Sequence, residues 1–193
     1  MKRLILTFVV LCALGFACLS EAETRNSVSF AAGIAKPEAI DTTFYITGAF
    51  RWQFNEVWAL EPDIGYWEQE NAQDLCLARG CATYGLSDIH VGANLLLTGS
   101  WNSIGLYSGG GAAAHFRKSE ITRQVTPPEP LPDRDATRLG LQILFGADFP
   151  INDSFEITGA IRNDFVFRDD EGGIDLGVQS VFKAYAGLRF YLD

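Results

Sequence analysis

Two cysteines near the middle of the chain are the residues whose type and spacing first suggest chemistry. Cys76 and Cys81 lie five positions apart in a polar segment. If the chain is exported to an oxidising compartment, we expect this pair to form a disulfide that staples a loop. A metal or redox site is not expected, because the other two cysteines, Cys12 and Cys18, lie in the apolar N-terminus and no histidine is close enough to complete a ligand set.

Two other motifs could bind ions but do not support a cofactor or metal prediction. Gly109-Gly110-Gly111 could cradle a phosphate, yet no lysine or helix follows as that motif requires. Asp169-Asp170-Glu171 could hold divalent cations, although a solvated acidic loop is the simpler interpretation. The net charge of −9 and the lack of a basic stripe exclude nucleic acid as a partner. The sequence therefore predicts no catalytic residue, cofactor or metal.

The N-terminus has the pattern of an export signal. Lys2 and Arg3 supply positive charge, an apolar run follows to Leu19, and Ser20-Glu21-Ala22 offers small residues for cleavage after Ala22. The apolar run is shorter than the roughly 20 residues that a membrane-spanning helix requires. We expect residues 1–22 to be a cleaved signal peptide and residues 23–193 to form one domain.

The elements that position the remaining residues show a two-residue period. From Ser154 to Arg168, apolar side chains alternate with polar and charged ones, which indicates a strand with two different faces. At about 13 to 15 residues it is longer than an ordinary globular strand of 5 or 6. Seven further segments are predicted strands, with a bulge expected at Pro62: these are Ser27–Ala35, Thr43–Phe54, Val57–Glu68, Asp88–Leu97, Ile104–Arg117, Thr137–Phe149 and Ile174–Leu192.

The connections between these strands alternate between short and long. The short ones are Asn55-Glu56, Gly99 to Asn102, and Pro150 to Asp153; the long polar ones are Lys36 to Asp41, Gln69 to Ala82, Lys118 to Ala136, and Asp169 to Gly173. This rhythm is typical of an all-β, eight-stranded antiparallel up-and-down transmembrane barrel, with short periplasmic turns and longer extracellular loops. We also expect aromatic rings at both rims of the barrel, with Trp67 at the outer one.

If the apolar faces point to lipid, the charged faces fill the barrel interior, the lumen. Eight strands leave an interior that side chains can fill, so a wide aqueous pore is not expected. Because buried charges need partners, we predict an ion-pair network in the lumen. Its members are Arg51, Glu61, Asp63, Asp88, Arg138, Asp148, Glu156, Arg162, Asp164, Arg168, Lys183 and Arg189, and with Arg117 and Asp175 the opposite charges are equal in number.

The signal, the alternating segments, the loop rhythm and a segment such as Phe145 to Asn152 resemble the small eight-stranded outer-membrane barrels of the OmpA/OmpX type. The resemblance covers nearly the whole chain after the signal, and it implies an architecture and an outer-membrane location. The partners it implies are outer-membrane lipid and lipopolysaccharide, with an extracellular ligand at the loops as a further expectation. We expect a monomer.

Three functions remain open at this point. The first is a non-enzymatic structural or surface-interaction barrel with a plugged lumen, within which a narrow small-solute channel is an alternative. The second is a lipid A-modifying enzyme, since some similar barrels deacylate lipid A with a histidine and a serine. His90 and His115 are the only histidines, both fall on the lumen face, and no serine follows His115 at the second position. The third is a soluble exported barrel of the lipocalin type.

Overall fold

The computed structural model of the protein describes residues 26–38, 40–77, 80–124, 134–167 and 178–192. The predicted cleavage after Ala22 lies outside these ranges. Within them the chain forms eight strands and no helix long and apolar enough to cross a membrane. The strands are β1 (Asn26–Pro37), β2 (Thr43–Gln53), β3 (Trp58–Leu77), β4 (Gly80–Trp101), β5 (Ile104–Gln124), β6 (Arg134–Asn152), β7 (Phe155–Phe167) and β8 (Val178–Leu192).

The eight strands close into a barrel. Each strand pairs in antiparallel fashion with the next one along the chain, and β1 also pairs with β8. Val28 of β1 therefore lies opposite both Phe50 of β2 and Phe190 of β8. Closure gives each described strand a paired neighbour on both sides in the barrel wall, although β3 continues to Leu77 beyond its pairing with β2, which ends at Trp67. The predicted eight-stranded antiparallel barrel is confirmed.

Alternation along each strand divides the side chains into an outward and an inward set. The outward set consists of large apolar residues that are exposed on the barrel wall, and we call it the apolar belt. It includes Phe30, Ile34, Phe44, Ile46, Phe50, Ile64, Ile89, Val91, Leu95, Leu139, Leu141, Ile143, Phe145, Ile157, Ile161, Phe182 and Leu188. A continuous surface of this kind is far larger than the apolar patches that soluble monomers expose, and it marks a protein that contacts lipid.

Asparagines shape the three short turns at one end of the barrel. The side-chain oxygen of Asn55 accepts hydrogen bonds from the backbone N–H groups two and three residues further on, at 2.9 and 2.8 Å. Asn152 repeats this arrangement at 2.9 and 3.0 Å between β6 and β7. Between β4 and β5, Asn102 and Ser103 both have positive φ, of 48° and 69°. Positive φ at both central residues is what the type I′ turn of a two-residue hairpin requires.

In two of the predicted long connections, the described residues belong to strands. β3 and β4 remain paired as far as Leu77 opposite Gly80, through most of the predicted loop from Gln69 to Ala82. β5 and β6 likewise extend into the predicted connection from Lys118 to Ala136. The prediction ended these strands too early, because a strand that continues beyond the apolar belt needs no apolar face. The two-residue period is then lost although the backbone pairing continues.

The predicted bulge at Pro62 is wrong. Pro62 lies opposite Ala93 of β4, and the pairing of β3 with β4 keeps one register on both sides of it. On the other side, pairing with β2 is interrupted between Asp63 and Leu60 but resumes in the same register. Proline lacks a backbone N–H, so it removes a hydrogen bond here without adding a residue to the strand.

Candidate functional site: the charged lumen

The lumen of the described barrel holds equal numbers of buried cations and anions. The five cations are Arg51, Arg117, Arg162, Lys183 and Arg189, and the five anions are Glu61, Asp63, Asp88, Asp148 and Asp164. Of the other predicted members, Arg138 and Glu156 are half-buried, and Arg168 lies outside the described residues, as does Asp175. Most of the residues chosen from the sequence thus lie together inside the barrel.

The first group of ion pairs lies toward the short-turn end. Arg51 donates from Nε to Glu61 at 2.8 Å and from Nη1 to Asp148, also at 2.8 Å. Arg189 contacts the same two carboxylates, at 3.5 Å to Glu61 and 3.3 Å to Asp148. The Arg51 guanidinium also stacks over the ring of Tyr107, 4.1 Å from its centroid. Two arginines and two carboxylates therefore form a neutral layer across the lumen.

The ring of Tyr107 is held on more than one side. Its hydroxyl is 3.1 Å from the hydroxyl of Thr158, and its ring packs where Gly146 leaves room. A Cβ at Gly146 would lie 2.2 Å from the ring carbon that bears the hydroxyl. Gly146 therefore gives the lumen the space that this tyrosine occupies.

A second group surrounds Asp63 nearer to the long-loop end. Arg162 donates to Asp63 and, from Nε, to Asp164 at 2.6 Å. Asp63 is also 2.9 Å from Nε2 of His90 and accepts a hydrogen bond from Asn94 at 3.2 Å. Arg162 and Asp63 are 99 positions apart in the sequence, so only barrel closure brings them together.

Lys183 extends this second group at a fully buried position. Its ammonium donates to Asp164 at 2.5 Å and lies 3.3 Å from Nδ1 of His90. A lysine ammonium has only donors, and a carboxylate accepts, so the contacts assign His90 as a neutral ring that accepts at Nδ1 and donates from Nε2 to Asp63. The ammonium also lies 4.8 Å from the ring centroid of Tyr45.

The third group contains the second histidine. Nδ1 of His115 is 3.1 Å from Asp88, and Arg117 donates to the same carboxylate from Nε at 2.9 Å. Arg117 then reaches across the lumen to donate to Gln179 of β8. The rings of His115 and His90 are neighbours, with centroids 5.8 Å apart. The two histidines thus link the second and third groups.

Apolar side chains also fill part of the lumen, in addition to the charged residues that the sequence predicts there. One cluster consists of Ala35, Tyr45, Trp67, Val166 and Val181, and the other of Ala59, Leu96, Tyr107, Leu144 and Ala160. The prediction that Trp67 lies in the outer aromatic belt is wrong, because its side chain is fully buried inside the barrel. Trp67 follows Tyr66, and alternation places only one of two adjacent aromatic residues on the outside. Trp67 lies four residues after Asp63, so the two-residue period places it on the lumen face, and this pattern was visible in the sequence.

Two cavities that described residues line inside the barrel are small. One, between the first and second groups, has a volume of about 10 Å³ and is lined by Glu61, Asp63 and Arg162 among others. The other lies at the short-turn end, next to Arg51 and Asp148, and measures about 70 Å³. The smaller cavity has room for at most about one water molecule.

The two histidines of the lumen lie among its charged side chains. His90 and His115 are fully buried, and the groups they contact are charged lumen residues and Tyr45 rather than a serine. In the described ranges, no group of three or more His, Cys, Asp or Glu side chains is placed to hold a metal ion. The described lumen charges are paired with one another.

The two cysteines of the polar segment lie opposite one another. The backbone register pairs Cys76 of β3 with Cys81 of β4, close to the end of the hairpin. Residues directly opposite in an antiparallel pair have Cα atoms about 4.5 to 5.5 Å apart, which is within the range that a disulfide spans.

Comparisons with known proteins find likeness in structure alone. No family model and no curated protein matches the chain. A major outer membrane protein from Thermus thermophilus has 14% sequence identity and a TM-score of 0.62, over 87% of this chain and 98% of that one. Neisserial surface protein A also has 14% identity, with a TM-score of 0.58 over 86% and 97%. OprG from Pseudomonas aeruginosa has 12% identity and a TM-score of 0.57 over 89% and 98%.

These likenesses extend over almost the full length of each neighbour. Together with the closed sheet and the exposed apolar belt, they define the class of the protein. The chain has the fold of the small eight-stranded outer-membrane β-barrels.

Proposed function

We propose that the protein is a monomeric, non-enzymatic barrel of the bacterial outer membrane whose lumen is closed by ion pairs and whose long connections face the exterior. The apolar belt supports contact with outer-membrane lipid and lipopolysaccharide. A closed lumen supports a structural or surface-interaction role, because a barrel that passes no solute acts through its wall and its exterior loops. Any extracellular ligand binds at those loops.

The observation that carries the proposal is the continuity of paired charges across the lumen. Arg51 and Arg189 bind Glu61 and Asp148 in one layer, while Arg162 and Lys183 bind the carboxylates of the next. A hydrated ion that passed through would have to separate pairs that are almost completely buried. The apolar cluster around Trp67 adds a second barrier, because apolar constrictions resist wetting.

Planar-bilayer recordings on the purified, refolded protein test closure. We expect no stepwise conductance at any holding voltage for the wild type. Paired substitutions that remove the first group, Arg51→Ala with Arg189→Ala, should introduce measurable conductance if those arginines close the lumen. Regular channel openings in the wild type would instead support the narrow-channel alternative and refute the plug.

Cell fractionation tests the location. We expect the protein in a detergent-extracted outer-membrane fraction, with an electrophoretic band that shifts on boiling as a folded barrel unfolds. Release with the periplasmic fraction would overturn the membrane assignment and favour a soluble exported barrel.

The non-enzymatic part of the proposal is supported by the burial of both histidines among charged lumen residues. We expect unchanged lipid A by mass spectrometry when the protein is overexpressed. If the wild type removed an acyl chain from lipid A and a His115→Gln variant did not, the protein would be a hydrolase.

A further inference from the structure

The outer wall of the barrel carries an apolar groove that crosses five neighbouring strands. It has a volume of about 810 Å³ and is lined by residues of β8, β1, β2, β3 and β4. Small residues, Ala32, Gly48 and Ala186, lie among larger neighbours along it. The depression exists because these positions have no bulk where the rest of the apolar belt has leucine, isoleucine or phenylalanine.

The groove has little capacity for polar contacts along its length. Thr47 alternates with the outward Ile46 and Gly48 and also lines the small lumen cavity, and its hydroxyl donates to the backbone oxygen of Ile64 at 2.9 Å. The larger lining residues, such as Phe30 and Leu188, are apolar. An acyl chain can fill such a groove without leaving a polar group unpaired.

One end of the groove is polar and negatively charged. Tyr66, which lines the groove, donates its hydroxyl hydrogen to Glu68 Oε2 at 2.5 Å. Glu68 is exposed, two residues further toward the long-loop end, and its backbone oxygen accepts a hydrogen bond from Thr43. In the described part of the chain, Glu68 forms no ion pair, whereas the outward Lys118 is paired with Glu120.

We propose that this groove binds one acyl chain of a lipid that carries a primary ammonium group in its headgroup, with the ammonium held by Glu68 and Tyr66. Once Tyr66 has donated its hydrogen, the carboxylate and the phenol oxygen present only acceptors. A primary ammonium presents three donors and a positive charge, so it complements this end in both charge and hydrogen bonding. The inference rests on the proposed membrane location, because only a lipid-facing wall meets such a ligand.

Other occupants fit the same surface less well. A trimethylammonium headgroup carries the charge but no donor, and an anionic headgroup would face the negative charge of the Glu68 carboxylate. A second copy of the chain would bring its own apolar belt to the groove, but the described part of that belt does not supply a cation for Glu68. The three alternatives make different predictions in one experiment.

Gly48 and Gly159 provide a matched pair of variants. Both are outward-facing glycines, and a Cβ would meet only ordinary contacts, at 3.6 Å or more for Gly48 and 3.8 Å for Gly159. Gly48 lines the groove and Gly159 does not. Gly48→Leu therefore fills the groove, and Gly159→Leu adds the same side chain elsewhere on the belt. Glu68→Gln removes the charge while it keeps the size of the headgroup contact.

The measurement is electron spin resonance of spin-labelled lipids in phosphatidylcholine vesicles that contain the refolded protein. We expect labelled phosphatidylethanolamine to be preferred over labelled phosphatidylcholine by about two- to fivefold, the ratio expected of a partly exposed ion pair. The preference should vanish in Glu68→Gln and Gly48→Leu and persist in Gly159→Leu.

Several results would overturn the inference. These are equal association of the two lipids, a preference for labelled phosphatidylglycerol, or a preference that Glu68→Gln leaves unchanged. A dimer in native mass spectrometry that Gly48→Leu abolishes would assign the groove to a second copy instead. Heat-modifiability of the same samples separates the two proposals: a chain that fails to insert refutes the proposed function, whereas an inserted barrel without lipid preference refutes only the groove.

Discussion

Replacing Lys183 by methionine tests whether the lumen network stabilises the barrel through charge balance. The Lys183 side chain is fully buried and donates to Asp164 at 2.5 Å, with Nδ1 of His90 at 3.3 Å. Methionine has a similar length, so it fills most of the space and removes the charge. The buried cations of the described lumen then number four against five anions, with Asp164 left to share Arg162 with Asp63.

The expected cost follows from that imbalance. Removing one partner of a buried ion pair typically costs about 3–5 kcal/mol, because the remaining charge stays in a low-dielectric site. Lys183→Met should therefore lower the free energy of unfolding by about that amount. Asp164→Asn alone should have a comparable cost. The double variant restores equal numbers of buried cations and anions. Its free energy of unfolding should therefore fall by about 2–3 kcal/mol less than the sum of the decreases in the two single variants.

Equilibrium unfolding in urea, with the protein in lipid vesicles, measures these decreases in the free energy of unfolding. Tryptophan fluorescence and the electrophoretic mobility of unboiled samples both report the folded fraction. Lys118→Met is the matched control, because Lys118 is half-exposed and pairs with Glu120 on the outer face. It should change stability by less than about 1 kcal/mol. A loss below about 1 kcal/mol for Lys183→Met, or additive losses in the double variant, would refute the view that this lysine balances a buried carboxylate.

Two further predictions concern single features of the barrel. Gly146→Ala should destabilise the barrel by about 1–3 kcal/mol in the same assay, because the new Cβ would displace the Tyr107 ring. Gly159→Ala is the control and should be tolerated, because its Cβ meets nothing closer than 3.8 Å. Cys76 and Cys81 should form an intramolecular disulfide after export, so that thiol alkylation labels neither cysteine until a reductant is added; labelling of both in the untreated protein would contradict this.

The strand positions and the faces within the apolar belt are predictable from the sequence. The alternation predicts a strand from Ser154 to Arg168, and β7 runs from Phe155 to Phe167. This succeeds because a strand between lipid and a polar lumen must alternate, and alternation is visible in one sequence. The same period assigns Arg162 and Asp164 to the interior, where both are buried.

The partners of each charge and the apolar part of the lumen are not predictable in the same way. Arg162 reaches Asp63 only because of the registers of the strands around the barrel, and no local pattern encodes a contact between residues 99 positions apart. Leu96, Leu144 and Trp67 lie inside because the lumen has to be filled to normal density, which charged residues alone do not achieve. Position in the two-residue alternation therefore predicts whether a side chain faces the lumen better than residue type does.

The distribution of the lumen contacts over distant strands also bears on how the protein enters a bilayer. Arg189 of β8 meets Ser27 of β1 and Glu61 of β3, and Lys183 of β8 meets His90 of β4. A sheet that lacks its last strand would present unmatched carboxylates to hydrocarbon, at a cost of several kilocalories per mole for each charge. The seam between β1 and β8 thus has to form before, or together with, passage of the strands into the membrane. Assembly one hairpin at a time within lipid is disfavoured for this chain.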